Sequence, residues 1–312
     1  MKALALESFD HKPAVIDLPD PSPGSGEVLV RVQASSVNAF DVGVAMGAAK
    51  AYMTYRFPAG IGNDLAGVVE ALGDGVSGFS VGDRVFGTMG MKGEIHDGSI
   101  AELAIPKLDA IVAAPDALSF TDAGSLGVAG TTAMSAVEAV DPSAGSRVLI
   151  LGATGGVGTF AIQLATLRGA HVIASVRPGD EGFVTDLGAA ETVDYTQDVV
   201  ATIRERYPDG IDAVIDAVRR SPAEFASLAE LVHEGASAVS VVGGAGEETL
   251  IGKASVSNAG SSATYLTPLA DLVVSGRLRV AISQTYQLSD APQAIDDFAA
   301  KHTLGKLVIT VP

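Results

Sequence analysis

The stretch Gly152-Ala153-Thr154-Gly155-Gly156-Val157-Gly158 constrains this chain more than any other segment of its length. Directly before it lies the apolar run Arg147–Leu151, which predicts a buried strand; directly after it, residues 157–168 predict a helix. Gly155 and Gly156 let the backbone turn sharply and approach a ligand without a Cβ clash, and Gly158 lets the helix pack closely on its strand. The helix N-terminus adds unbonded N–H groups and the positive end of its dipole, which together suit a pyrophosphate. The run departs from Gly-x-Gly-x-x-Gly at Ala153, a residue small enough to be tolerated there, and Thr154 and Val157 complete the turn. An ordinary glycine-rich strand-turn-helix is the bland alternative; the flanking strand and helix favour a dinucleotide.

The remaining rhythm fits that reading. Further strands are expected at 171–175, 191–194, 211–216 and 237–242, with helices at 181–187, 199–207 and 223–232 between them. Alternating strands and helices imply an α/β unit with a doubly wound parallel sheet. The first 120 residues read as mostly β, with short apolar runs at 27–32 and 65–70 and turn residues Gly82-Asp83 feeding a strand at 84–87. Helical spacing over 121–140 follows, with Ser119 or Thr121 as N-cap. The tail is mixed: helical at 266–275 and 291–300, extended at 281–288 and 307–311. The expected organisation is therefore 1–120 with 262–312 as one domain and 121–261 as a dinucleotide-binding domain inserted in it.

Composition narrows the chemistry. The net charge of -17 opposes any phosphate backbone, so nucleic acid is not an expected partner. The absence of cysteine removes disulfides, thiolate metal sites and a cysteine nucleophile. The start of the chain lacks the apolar core of a signal peptide, and no stretch reaches the ~20 apolar residues of a membrane helix. The expectation is a cytoplasmic protein without a membrane partner.

The second strand of the α/β unit bears on the choice of nucleotide, unless the arginine after it is only a solvated loop charge. Nicotinamide dinucleotides lacking a 2′-phosphate are usually met by an acid at that strand's tip. Here the strand ends in Ser175-Val176-Arg177: Ser175 can donate to a 2′-phosphate and Arg177 can pair with it, which points to NADPH. Asp180 and Glu181 are placed instead at the start of the next helix, where acids are favoured. Tyr195, after the third strand, flanks the same phosphate or caps the sheet edge. Val218 and Val242, at the tips of the fourth and fifth strands, are further cofactor-binding positions, and Arg219 and Arg220 either crowd the cofactor or bind its phosphate.

In order along the chain, Ser36-Val37-Asn38-Ala39-Phe40-Asp41, Ile61-Gly62-Asn63-Asp64-Leu65-Ala66-Gly67, Gly75-Val76-Ser77-Gly78-Phe79-Ser80-Val81-Gly82-Asp83-Arg84-Val85, Gly98-Ser99-Ile100-Ala101-Glu102, Ala129-Gly130-Thr131-Thr132-Ala133 and Leu304-Gly305-Lys306-Leu307-Val308 form a familiar series. With the glycine turn, they resemble the zeta-crystallin-like quinone oxidoreductases of the medium-chain dehydrogenase/reductase superfamily, over nearly the whole length. The resemblance implies a GroES-like β-rich catalytic domain built from both chain ends around a Rossmann domain, with the nicotinamide held in the cleft between them, and a homodimer.

It also raises the question of zinc, since the superfamily includes zinc alcohol dehydrogenases. Those carry a Cys near the position of Asn38 and a His-Glu pair near Asn63-Asp64. An amide is a poor zinc ligand beside thiolate or imidazole. His11, His96, His171, His233 and His302 are scattered without metal-ligand spacing, so no metal is expected. Without a Lewis acid, an already electrophilic acceptor is favoured: a quinone or an enone. By resemblance, Asn38 contacts the nicotinamide ribose or the acceptor oxygen, Thr132 holds the ribose or carboxamide, and Lys306 reaches the cofactor from the tail, a surface lysine being the simpler reading. Relatives often carry a Tyr soon after the Asn38 motif, near Gly43; here Tyr52 or Tyr55 can supply the phenol, as proton donor or stacking surface, or else only pack the loop. The alternatives to an NADPH-dependent quinone or enone reductase are an enoyl-thioester reductase and a non-catalytic NADPH-binding sensor or structural protein.

Overall fold

The computed structural model describes residues 1–90, 93–246, 250–251, 254–300 and 302–312. They fall into two compact units, Met1–Val128 with Ser262–Pro312, and Ala129–Ser261.

In the first unit, the main sheet runs Ile111–Ala113, Arg84–Thr88, Asp64–Leu72, Val28–Ser36, Lys306–Thr310, Ile282–Gln287 in spatial order, and Leu103–Ala104 adds to Val28–Ser36. Neighbours are antiparallel except for the last pair. The tail strand Lys306–Thr310 thus lies beside a strand from the chain's beginning, with Val308 opposite Ser36. This pairing brings Lys306 close to Asn38. Leu65, Val30, Val32, Val85 and Ile309 pack in the core of the unit, all buried. A smaller sheet joins Ala14–Asp17, Lys2–Leu6 and Ala59–Gly60.

The second unit holds one seven-stranded sheet in the order Glu191–Asp194, His171–Val176, Arg147–Leu151, Ile211–Asp216, Val232–Ser240, Ala254–Asn258, Leu250–Ile251. All neighbours are parallel but the last pair. Strand order reverses between Arg147–Leu151 and Ile211–Asp216. In sheets of this kind, ligands sit at the C-terminal ends of the strands flanking such a point. The glycine turn leaves the sheet there. The expected strands at 147–151, 191–194 and 211–216 are present, and the helices are Gly156–Leu167, Glu181–Thr185, Val199–Arg206 and Pro222–Ala229. The fold is α/β, with a GroES-like β-rich unit and a Rossmann unit.

Two expectations need correction. The helix expected over 121–140 is two helices, Phe120–Ala123 and Val128–Val140. The break passes through Gly124 and Gly127, where a Cβ would lie 2.9 Å from Ala34 O and 2.5 Å from Asp64 Oδ1. The first short helix packs on Val28–Ser36 and Asp64–Leu72 and belongs to the first unit, which runs to Val128 where the boundary was expected at 120. The fifth strand ends at Ser240, not 242, so Val242 stands in the turn that follows. No helix among the described residues is long and apolar enough to cross a membrane.

Candidate functional site

The glycine turn is built as its sequence demands. Gly152 has φ of +74°, a torsion that side chains disfavour. Gly155 N–H closes a turn on Gly152 O at 3.0 Å, and the helix begins at Gly156. At Gly158 a Cβ would lie 2.3 Å from Gly152 O and 2.6 Å from Ala153 Cα, so only glycine allows this helix so near its strand. Ala153 and Thr154 are buried beneath the turn, while Gly155, Gly156 and Val157 are partly exposed. No side chain caps the helix. Its first N–H groups are therefore left without a side-chain partner at a partly exposed helix start, a cradle that fits a pyrophosphate.

Ser175 and Val218 adjoin this turn, and the other expected cofactor residues of the unit are placed as follows. Ser175 is buried, and its Oγ accepts from Gly152 N–H at 3.1 Å, so it braces the turn. Arg177 Nε donates to Asp180 Oδ2 at 2.9 Å. Tyr195 is half-exposed, and its N–H donates to Val176 O at 2.9 Å, which places it beside the residue preceding Arg177. Val218 is exposed, and its Cγ2 lies 3.2 Å from where a Cβ on Gly152 would stand. Val242 is partly buried, its N–H on Ser240 Oγ at 3.3 Å. Thr132 is buried in helix Val128–Val140. Asp216, unnoticed in the sequence, ends the fourth strand fully buried. It accepts from the N–H groups of Val218 and Arg219, both at 3.1 Å, and burial raises its pKa.

The first unit gathers Asn38, Asp64 and Lys306 into one buried network. Lys306 Nζ lies 2.6 Å from Asn38 Oδ1, 3.3 Å from Val37 O and 3.3 Å from Asp64 Oδ2. Asp64 Oδ2 also accepts from Ser36 Oγ at 2.6 Å and Asn38 Nδ2 at 2.9 Å; its Oδ1 accepts from Val128 N–H at 2.6 Å. Three acceptors match the three donors of an ammonium. Lys306 is thus a buried ion-pair partner, neither on the surface nor with a donor to spare for a cofactor. Asn38 is fixed at both ends of its amide, since Nδ2 serves Asp64 Oδ2 and, at 3.4 Å, Ser36 O. Its chemistry is that of an acceptor through the second lone pair on Oδ1, not of a donor to an acceptor oxygen.

Asp41 completes the network. Its Oδ2 reaches back from helix Ala39–Ala45 to the Asn38 N–H at 2.8 Å, while the buried Oδ1 has no hydrogen-bond partner. Burial, followed by the charge of Asp64, pushes the carboxyl up to about 7, against the opposing effects of the Asn38 N–H and Lys306.

The two tyrosines have different surroundings. Tyr52 is 70 % exposed. Tyr55 packs edge-on to Phe9 with ring centroids 4.9 Å apart, and its hydroxyl donates to Val44 O at 3.1 Å. Among the described residues, no group of three or more His, Cys, Asp or Glu side chains is placed to hold a metal.

Known proteins are similar to this chain in sequence and fold. Residues 24–116 match the alcohol dehydrogenase GroES-like domain and residues 187–309 the zinc-binding dehydrogenase family. A quinone oxidoreductase of Pseudomonas aeruginosa is 30 % identical over 97 % of this chain and 95 % of its own. A chloroplast envelope quinone oxidoreductase homolog of Arabidopsis thaliana is 28 % identical over 99 % and 98 %. The solved quinone oxidoreductase of Coxiella burnetii superposes with a TM-score of 0.87 at 29 % identity, covering 100 % of this chain and 99 % of that one. The two units are thus the two modules of a medium-chain dehydrogenase/reductase, an oxidoreductase architecture served by a nicotinamide cofactor. Within that superfamily the chain belongs to the quinone oxidoreductase family.

Proposed function

We propose that the protein reduces quinones, or other electrophilic α,β-unsaturated carbonyls, with NADPH and without zinc. The observation that carries this reading is the uncapped helix start at Gly156, held against its strand at Gly158, where any Cβ would press on main chain. When bound there, a reduced nicotinamide supplies the hydride. The chain's own residues do the rest. The turn takes the pyrophosphate through main-chain N–H groups, braced from below by Ser175. Arg177 is the cation at the second strand's tip that favours a 2′-phosphate. Asn38 holds a ligand hydroxyl through Oδ1.

The zinc-free reading is supported by what surrounds Asp64. An ammonium already stands 3.3 Å from its carboxylate and 2.6 Å from the Asn38 oxygen, so a divalent cation entering there would meet a positive charge. The reading of the acceptor rests on the named relatives, two of them quinone oxidoreductases and one a homolog of such an enzyme.

The test is nucleotide oxidation by the pure protein with a panel of quinones and enones, using NADPH and NADH, before and after chelator treatment. Quinone-dependent oxidation that favours NADPH and survives the chelator is expected. Nucleotide binding without turnover on any acceptor would sink the reading, and activity lost to the chelator would sink its zinc-free part.

A further inference from the structure

The tip of strand His171–Val176 carries one cation among several acids. Val176 is in register with Asp194, and Arg177, Asp180 and Glu181 follow it in sequence. Two of the three carboxylates serve the main chain. Glu181 Oε2 accepts from Gly179 N–H at 2.8 Å, and Asp194 Oδ1 accepts from the N–H and the hydroxyl of Thr196, both at 2.8 Å. Asp180 behaves differently. It occupies the N-cap of helix Glu181–Thr185, the position where an Asp side chain ordinarily accepts from the helix, yet it makes no capping bond. Its Oδ2 takes the Arg177 Nε instead, at 2.9 Å, while the Asp180 N–H donates to Arg177 O at 3.2 Å. Asp180 is 11 % exposed and Arg177 47 %, so the acid is the fixed member and the guanidinium the one that meets solvent.

We propose that Asp180 sets the nucleotide selectivity of this protein by competing with the ribose 2′ substituent for Arg177. The inference rests on the reading that Arg177 receives a 2′-phosphate. A carboxylate and a phosphate seek the same fork of donors on a guanidinium, and the two anions repel when they share it. A 2′-hydroxyl is a donor instead, and a carboxylate accepts from it. Asp180 therefore weakens NADPH binding and supports NADH, and the pair makes the protein less selective than Arg177 alone would. The role is that of a specificity-determining residue, acting through its neighbour.

The experiment is a titration of each reduced nucleotide, followed by its own emission, which the absence of tryptophan in the chain leaves unobstructed. Wild type, Asp180→Asn, Arg177→Ala and the double variant are compared at low salt, with a thermal melt of each to establish that it is folded. Asp180→Asn is expected to tighten NADPH about fivefold to tenfold while NADH tightens not at all or weakens. Arg177→Ala should weaken NADPH about tenfold or more with little change for NADH. In the Arg177→Ala background the Asp180→Asn gain should largely disappear, because its partner is gone. A ratio of NADPH to NADH affinity that Asp180→Asn leaves within twofold of wild type overturns the proposal, and a selective loss in Arg177→Ala beside it leaves the 2′-phosphate reading standing. Equal loss of both nucleotides in Arg177→Ala overturns that reading and the proposal with it. A gain from Asp180→Asn that persists undiminished in the double variant also overturns the proposal, since Asp180 would then act without Arg177.

Discussion

Lys306 and Asp64, 242 residues apart in the chain, meet as a fully buried ion pair with Nζ and Oδ2 3.3 Å apart. The pairing of the tail strand with Val28–Ser36 makes the contact possible, and the Asn38 amide is fixed between the two charges. Burying two charges repays its desolvation only while both are present and bonded. Lys306→Met is therefore expected to lower the unfolding free energy by about 3–5 kcal/mol, because it leaves Asp64 charged, buried and short of a partner. Adding Asp64→Asn should recover part of that loss, since the stranded charge is gone. Denaturant unfolding of the two variants decides it. A double variant less stable than Lys306→Met would show that the hydrogen bonds of Asp64, not its charge, dominate.

Asp41 gives the network a pH dependence. Its folded value, about 7, lies above the ordinary 3.8, so the folded chain holds this proton more tightly than the unfolded chain does. An acid shifted upward favours folding when protonated, and the advantage is lost as pH rises through the window between the two values. Stability contributed by this carboxyl should fall between about pH 4 and pH 7, by an amount on the order of a few kcal/mol, and level off above. Asp41→Asn removes the titrating group. The stability difference between wild type and variant, from urea midpoints at a series of pH values, should therefore drift against wild type across that window. A difference that stays flat would mean the carboxylate is ionised throughout.

Much of the second unit was legible because its signals are local. Arg147–Leu151 stands where a continuous apolar run placed it, Glu191–Asp194 and Ile211–Asp216 where the alternation of strands and helices did, and the glycine turn carries its steric reason within seven residues. The break at Gly124 and Gly127 was not legible, because it depends on Ala34 O and Asp64 Oδ1, far off in the chain. The same holds for the tail. Lys306 in a strand-forming run reads most simply as a surface lysine, and only the sheet pairing reveals its burial beside Asp64. Asp180 looked like a helix-start acid and does occupy the N-cap, but sequence spacing does not tell whether such a side chain bonds its own helix or the arginine three residues before it. Asp64 had a signal: an acid beside Asn63 in the run from Ile61 to Gly67 that carries the family resemblance, where it read only as the place of an absent zinc ligand.

The turn itself makes a sharp prediction. A methyl group at Gly158 would meet Gly152 O at 2.3 Å and Ala153 at 2.6 Å, all of it main chain that gives way only by moving the helix. Gly158→Ala should cost about 1–3 kcal/mol of stability and abolish measurable nucleotide binding, because the helix N-terminus shifts away from the turn. At Gly155 the nearest atom to an added Cβ is Gly152 O at 3.4 Å, an ordinary contact, so Gly155→Ala should fold with little loss. Nucleotide titration and thermal melting of both variants provide the check. Wild-type affinity in Gly158→Ala would remove the turn from the binding site.

The two tyrosines can be told apart as proton donors. The Tyr55 hydroxyl is engaged with Val44 O, and burial raises its pKa above the ordinary 10, which makes it a weaker acid. Tyr55→Phe should therefore cost about 1 kcal/mol of stability through the lost hydrogen bond and leave kcat for quinone reduction within about twofold. Tyr52, with most of its surface exposed, is the phenol better placed to meet a ligand, and Tyr52→Phe tests it directly. A donor's removal costs roughly a hundredfold or more in kcat, well outside the effect of altered packing. Such a loss in Tyr55→Phe, with Tyr52→Phe unaffected, would reverse the assignment and require the Tyr55 hydroxyl to leave Val44 during turnover. If neither variant loses more than a few-fold, the proton comes from solvent and the tyrosines serve only to shape the loop.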